Sequence, residues 1–425
     1  MSPNIWEQKQ PSRQSLYALD CLNFFLADVR TGVGPFLVTY LLAVHHWNPA
    51  KIGVVMAVRG IANLLADAPC GALVDSVKKK RLLIIITASL MGISCVFITI
   101  FPTFYFISAA QIVNGVVSAL FAPAIAAITL GLVGRQMFAI RIGRNEVFNH
   151  AGNVATALLA GIVGYLIGQV WIFYLVAIIG VASAVSVLFI RENDIDYLRS
   201  RGGALNITPD EVVALGIRAL FSDRKILIFA VAVTLFHFAN VAMLPLAGQL
   251  LTRDHEIFAS LNMSACIVAA QLIMIPVAFL SGKWGNKWGR KPIFLIGFAI
   301  LPIRGLLYIL SDNPFYIVSV QLLDGIGAGI FGVLSVVVVA DLTQGTGRYN
   351  LVLGAIATAH SIGASLSNVV SGYIVNAWGF STGFVFLAAV AALAFAIFGL
   401  MMPATKALPP ISAEALLEET TKNAA

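Results

Sequence analysis

The sequence predicts an all-α polytopic membrane protein: twelve transmembrane helices in two pseudo-symmetric six-helix bundles. Three observations predict it. Of 425 residues, 59% are hydrophobic and only 11% charged, where a soluble chain carries roughly 25% charged residues. Twelve stretches are long and apolar enough to cross a bilayer, which takes about 20 residues each. The second half of the chain also echoes the first at an offset of 210–212 residues.

The predicted spans are 15–43, 51–74, 82–101, 104–132, 146–167, 170–190, 225–250, 258–281, 292–310, 314–340, 350–376 and 380–402. Pro102-Thr103, Gly168-Gln169, Ser311-Asp312-Asn313 and Ala377-Trp378-Gly379 are short links that force neighbouring helices to run antiparallel. Residues 1–14 form a polar tail without the apolar core of a signal peptide, which leaves targeting to the first span. The division is then 15–190, a linker at 191–224, 225–402, and a second tail at 403–425. Within the linker, Thr208-Pro209-Asp210-Glu211 has the form of a capping box with proline in the first turn. The run after it, VVALGIRALF, reads as a linker helix or one lying on the inner leaflet.

Lysine and arginine set the orientation. With both termini cytoplasmic, 22 of the 27 cations lie in tails and cytoplasmic loops. Only Lys51 and Arg253 fall outside, and Arg30, Arg59 and Arg304 fall within spans. The net charge of +7 therefore belongs to a lipid bilayer partner and not to nucleic acid. Four cysteines in apolar stretches give neither a disulfide framework nor a zinc pattern. No P-loop, zinc-protease pattern or nucleophile elbow is present, so neither an enzyme nor a cofactor is expected.

The echo is clearest in two basic loops. Gly71-Ala-Leu-Val-Asp75 with Lys78-Lys79-Lys80 aligns with Gly282-Lys-Trp-Gly-Asn286 and Gly289-Arg290-Lys291. Gln111, Asn114 and Gly115 align with Gln321, Asp324 and Gly325, and Asp28 aligns with Asn240. The loop pattern resembles the signature G-x-x-x-D-x-x-G-R-[RK] of the major facilitator superfamily, here in the form of its bacterial 12-helix members. That resemblance implies two halves related about the membrane normal, a substrate site at mid-membrane between them, and gating by the two loops. It also implies that spans 1, 4, 7 and 10 line the cavity while 3, 6, 9 and 12 pack outside. The chain departs from several family patterns: Gly152, Gly161 and Gly164 stand in a fifth span without proline, Gln111 replaces an arginine, and RENDIDYL follows the sixth span. These departures weigh against drug efflux and sugar uptake.

Charges within a span cost about 2.5–3.5 kcal/mol on insertion scales, so each one needs a reason. Six stand out: Asp28, Arg30, Arg59, Asp67, Arg304 and Asp324. Through the resemblance, Asp28 and Asp324 become the cavity acids, alongside Gln111, Asn114, Asn240, Gln321, His237 and His360. Asp28 is equally a candidate partner for Arg59, within about 7 Å of it in depth at ~1.5 Å per residue. Arg30, Arg59 and Asp67 are assigned to structural pairing, with Asp67 serving the loop at Asp75, and Arg304 to a structural or outward-snorkelling role.

The expectation is a monomeric secondary transporter of a small molecule or ion in a bacterial inner membrane or one derived from it, driven by protons. Two alternatives stand beside it. One is transport of a transition metal or its chelate, such as iron, through Asp324, His237, His360 and His150. The other is a non-transporting receptor or scaffold on the same fold.

Overall fold

The computed structural model describes residues 11–30, 33–196, 223–254, 256–343 and 349–403, apart from a few side chains that include those of Asp28, Asp75 and Asn286. The capping box and surface helix expected at 208–221 lie outside the described residues. The elements are α1 (Arg13–Val29), α2 (Pro35–Ala43), α3 (Pro49–Ser76), α4 (Lys80–Ile100), α5 (Phe104–Leu166) and α6 (Val170–Leu188). After a 3-10 turn at Glu192–Asp194 come α7 (Arg224–Val241), α8 (Met243–Asp254), α9 (Ala259–Trp288), α10 (Arg290–Leu307), α11 (Pro314–Leu342) and α12 (Tyr349–Met401). No strand occurs among the described residues.

Helix starts follow local chemistry. Asn48 and Asn313 cap α3 and α11 through Lys51 N at 2.8 Å and Phe315 N at 2.9 Å, with prolines next in line. Two long helices each contain a turn. Gly134 (φ 69°) splits α5 and Gly379 (φ 83°) splits α12, in a region that favours glycine. Among the described residues, nine helical stretches are apolar and long enough to cross a membrane, and one of them, Val352–Met401, has 50 residues and the Gly379 turn. Together with the broken first span and α10, this path is consistent with twelve crossings.

The path differs from expectation in three places. The first span breaks between α1 and α2, where Gly34 (φ 49°) precedes Pro35. The seventh breaks at Ala242 between α7 and α8. Residues 135–145, expected as a loop, are helical and extend the second limb of α5.

Packing repeats the sequence echo. Gly115 of α5 leaves no room for a side chain against the Arg59 carbonyl, Ala62 and Asn63 of α3. Gly325 of α11 is closed in the same way by Ala270, Ile273 and Met274 of α9, each 211 residues on. Gly152 abuts Phe24 and Ala27 of α1, and its counterpart Gly363 abuts Thr234 and Phe238 of α7. The second bundle is centred on Phe229, Phe294, Phe298 and Phe398, with ring centroids 4.7–6.3 Å apart. Leu65, Ile178, Phe279 and Leu400 point outward, the surface expected where lipid replaces water.

Candidate functional site

The two bundles meet along glycine and serine faces. On α3, Gly53 touches the Asn368 carbonyl, and a Cβ at Gly60 would lie 2.7 Å from Ser365 Oγ of α12. A Cβ on Gly372 of α12 would come within 2.6 Å of the Pro49 carbonyl. On the other side, Ser264 Oγ donates to Ala157 O at 2.6 Å and Ser260 Oγ to Gly161 O at 3.3 Å, joining α9 to α5. All these contacts lie toward the end of the molecule that carries the 44–48 and 376–380 turns. Here α2 and α8 also pack on each other, whereas α1 and α7 pack within their own bundles.

Toward the end that carries Arg13 and Met402, the same faces stand apart. Among the described residues, a Cβ placed on Gly71 of α3, on Gly354 of α12 or on Gly143 of α5 would meet no atom within 4 Å. Gly282 on α9 meets only Val333 of its own bundle, at 3.9 Å. At 100° per residue, Gly53, Gly60 and Gly71 share one face, as do Gly143 and Gly161. The seam is therefore shut at one end and open at the other. His150 Nδ1 and Gln271 Oε1, 2.9 Å apart across α5 and α9, form a further link between the bundles at mid-depth.

A polar network fills the second bundle. Arg304 of α10 is 1% exposed and ion-paired with Asp324 of α11. Its other nitrogen donates to Asn240 Oδ1 at 2.8 Å, and Nε faces Met243 Sδ at 3.3 Å. Gln321 Nε2 donates to the second Asp324 oxygen at 3.0 Å, while Tyr308 OH donates to Gln321 Oε1. This corrects the outward-snorkelling alternative for Arg304: a guanidinium with a carboxylate and an amide in reach is held inside. Asn240, Gln321 and Asp324, singled out in sequence, do converge, but around an arginine expected elsewhere.

The first bundle has no counterpart charge. Gln111 and Asn114 are buried and bonded to each other at 3.2 Å, and Asn114 Oδ1 has no partner. Arg59 donates to the Arg30 carbonyl at 2.8 Å. The expected Asp28–Arg59 pair lies outside the described side chains. Asp67 differs from its assignment: it is exposed on α3, and among the described residues no ion pair reaches it.

His237 and His360 stack with ring centroids 3.5 Å apart, beside Phe331. His237 Nε2 is buried without a partner. His150 is on another helix pair, and Asp324 is taken up by Arg304. Among the described residues no three His, Cys, Asp or Glu side chains converge on a common point.

In the basic loops Lys79 is exposed and Lys291 half-buried, but Lys80 and Arg290 are buried rather than solvated. Lys80 Nζ donates to Val74 O at 2.6 Å, covering the C-terminal carbonyls of α3. Arg290 Nε reaches Asp341 of α11 at 3.4 Å, and Gly289 (φ 94°) makes the turn before it. Asp75 is in the last turn of α3 and Asn286 near the end of α9.

Sequence reasoning missed Asp20. It is 2% exposed within the first span and bonds to Arg141 at 2.6 Å and Arg144 at 2.7 Å. Arg141 also bonds Asn145, which bonds Thr129. Asp194 was passed over as well: Ser12 N, Ser12 Oγ and Ser15 Oγ all donate to its Oδ2, at 3.1, 2.5 and 2.7 Å.

Comparison with known proteins follows the same lines. The family model of the Major Facilitator Superfamily matches residues 19–280 and 256–422. Two uncharacterized MFS-type transporters of Mycobacterium tuberculosis, from strains CDC 1551 / Oshkosh and ATCC 25618 / H37Rv, are each 50% identical over 390 residues. The matched region is 91% of this chain and 93% of theirs. Crystal structures of the nucleoside transporter NupG share the backbone path. An aspartate-to-alanine mutant gives a TM-score of 0.78 at 16% identity, covering 92% of this chain and 100% of that one. Another NupG structure gives 0.74 at 18% identity, covering 91% and 98%. Repeat, seam and matched sequence lead to one conclusion: the chain belongs to the major facilitator superfamily, a family of transporters and not of enzymes.

Proposed function

We propose that this transporter moves a small polar solute by alternating access and that protons drive it. The observation that carries the reading is the half-open seam. Gly53, Gly60 and Gly372 are closed against the facing bundle, while Gly71, Gly143 and Gly354 meet nothing among the described residues. A gap reached from one face only, between two bundles built on one repeat, is what alternating access requires. With both termini cytoplasmic, as the arginine and lysine distribution indicates, this is the inward-open state. The part-buried His150–Gln271 pair, between the bundles at mid-depth, would offer a solute hydrogen-bonding groups.

The test is uptake by proteoliposomes over a panel of radiolabelled polar solutes, nucleosides among them, with and without an imposed proton gradient. We expect accumulation of at least one solute, lost on adding a protonophore. Solute exchange without any response to the gradient would remove protons from the reading. No uptake of any solute would favour a receptor or scaffold. The metal alternative finds less support, because no three candidate ligands converge among the described residues.

A further inference from the structure

Asp67 lies on the α3 face that carries Gly53 and Gly60. The steps of seven residues keep the three within about 40° around the helix. Gly60 is the last glycine of α3 held against the other bundle, and a Cβ on Gly71 would meet no described atom within 4 Å. Asp67 is between them, at the point of divergence, with its side chain exposed. Leu65, on the lipid-facing side, is over 100° away around the helix. Antiparallel register from the Gly60–Ser365 contact places Thr358 of α12 opposite Asp67.

We propose that Asp67 is the coupling carboxylate: it takes a proton from the open gap, and the open end closes on the neutral acid. This rests on the proton-driven reading above. When the open end closes, α12 must come down on this face of α3. An unpaired carboxylate buried there would be strongly disfavoured, whereas a neutral acid hydrogen-bonded to a hydroxyl such as Thr358 would not. Closure is thereby tied to proton binding. The step is a simple association, carboxylate plus proton giving carboxylic acid.

The surroundings hold little that could take the role instead. On α3 the near titratable group is Cys70, whose thiol is bonded to Val116 O at 3.7 Å; Arg59 and Asp75 are about two turns away on either side. On α5 the groups one turn back, beside Asn63, are Gly115 and Ser118, both neutral. On α12 they are Thr358 and Ser361, with His360 stacked on His237. The acid singled out first in sequence, Asp324, is committed to its ion pair with Arg304. Neutralising it would strand Arg304 as a buried cation.

The proton itself is the probe. Full-length protein in lipid nanodiscs is titrated while infrared difference spectra follow the protonated-carboxyl band. Wild type should show a titrating band, Asp67→Asn should lose it, Asp67→Glu should restore it shifted, and Asp324→Asn should keep it. A band unchanged in Asp67→Asn overturns the assignment, as does a wild type with no band. Gradient-driven uptake is then measured on the same variants. Uptake in wild type that survives in Asp67→Asn also overturns it. A band that titrates through Asp67 in a protein with no gradient-driven uptake would remove the proton-driven reading and leave the proton site standing.

Discussion

Arg304 and Asp324 form an ion pair across α10 and α11, with the guanidinium only 1% exposed. The Asn240 amide takes up a further guanidinium donor, so the pair is both charge-balanced and hydrogen-bonded. Breaking such a pair from one side costs about 3–5 kcal/mol, while replacing both members is far milder. Arg304→Met and Asp324→Asn should each lower the melting temperature of the purified protein. The double variant should recover most of the loss. Additive losses would show that the pair is not coupled.

Glycines within a bundle and glycines across the seam should behave differently. Gly115→Leu and Gly325→Leu force a side chain into a neighbouring helix of the same bundle, and overpacking of this kind costs about 1–3 kcal/mol or more. Reduced yield of folded protein is expected. Gly60→Leu instead meets Ser365 of the other bundle. It should fold normally and hold the shut end apart, read as increased labelling of a cysteine placed at Asn368.

Asp194 ties the segment after α6 to the start of α1 through three donors. Asp194→Ala should cost about 1–2 kcal/mol, the range for a lost helix cap. The local readout is faster hydrogen exchange in the first turn of α1, with the α7 amides unaffected.

Topology can be checked directly. Reporter fusions after Arg199 and at the C-terminus should score as cytoplasmic, and one at Asn313 as external. An external score at Arg199 would reverse the orientation and make the half-open state outward-facing.

Fold class and repeat were legible because they rest on composition and on spacing, both local properties. The alignment of Gly115 with Gly325 even predicts matched helix crossings, since a missing side chain has the same consequence in each bundle. The polar interior was less legible. Asp20 depends on arginines 121 and 124 residues away, a separation no pattern encodes. Arg304 was placed by the outer position of its span, yet a long side chain on an outer helix can reach inward to an acid on the next one. Asp67 was read as paired because pairing is the usual fate of a charge in a membrane. Its position opposite a gap became visible only once the faces of α3 and α12 were set side by side.

The composition of the shut seam bears on the energy of switching. Along α3–α12 and α5–α9 it is glycine backbone, serine hydroxyls and peptide carbonyls, while Met263 sits in an apolar cluster with Phe36, Leu37 and Tyr40 of the first bundle and Tyr165 stacks on Phe258. Parting the glycine and serine faces exposes little hydrocarbon, and water can take over each bond that breaks; the apolar cluster beside them is what holds this end shut. A greasy seam would hold shut, and a highly charged one would stay hydrated and refuse to close. A mixed seam such as this one suits the alternating-access reading, which needs two states close in energy. One elementary charge crossing a membrane potential of 100 mV supplies about 2.3 kcal/mol, which moves a balanced equilibrium nearly fifty-fold. The work of transport can then go into the solute gradient instead of into prying the protein open.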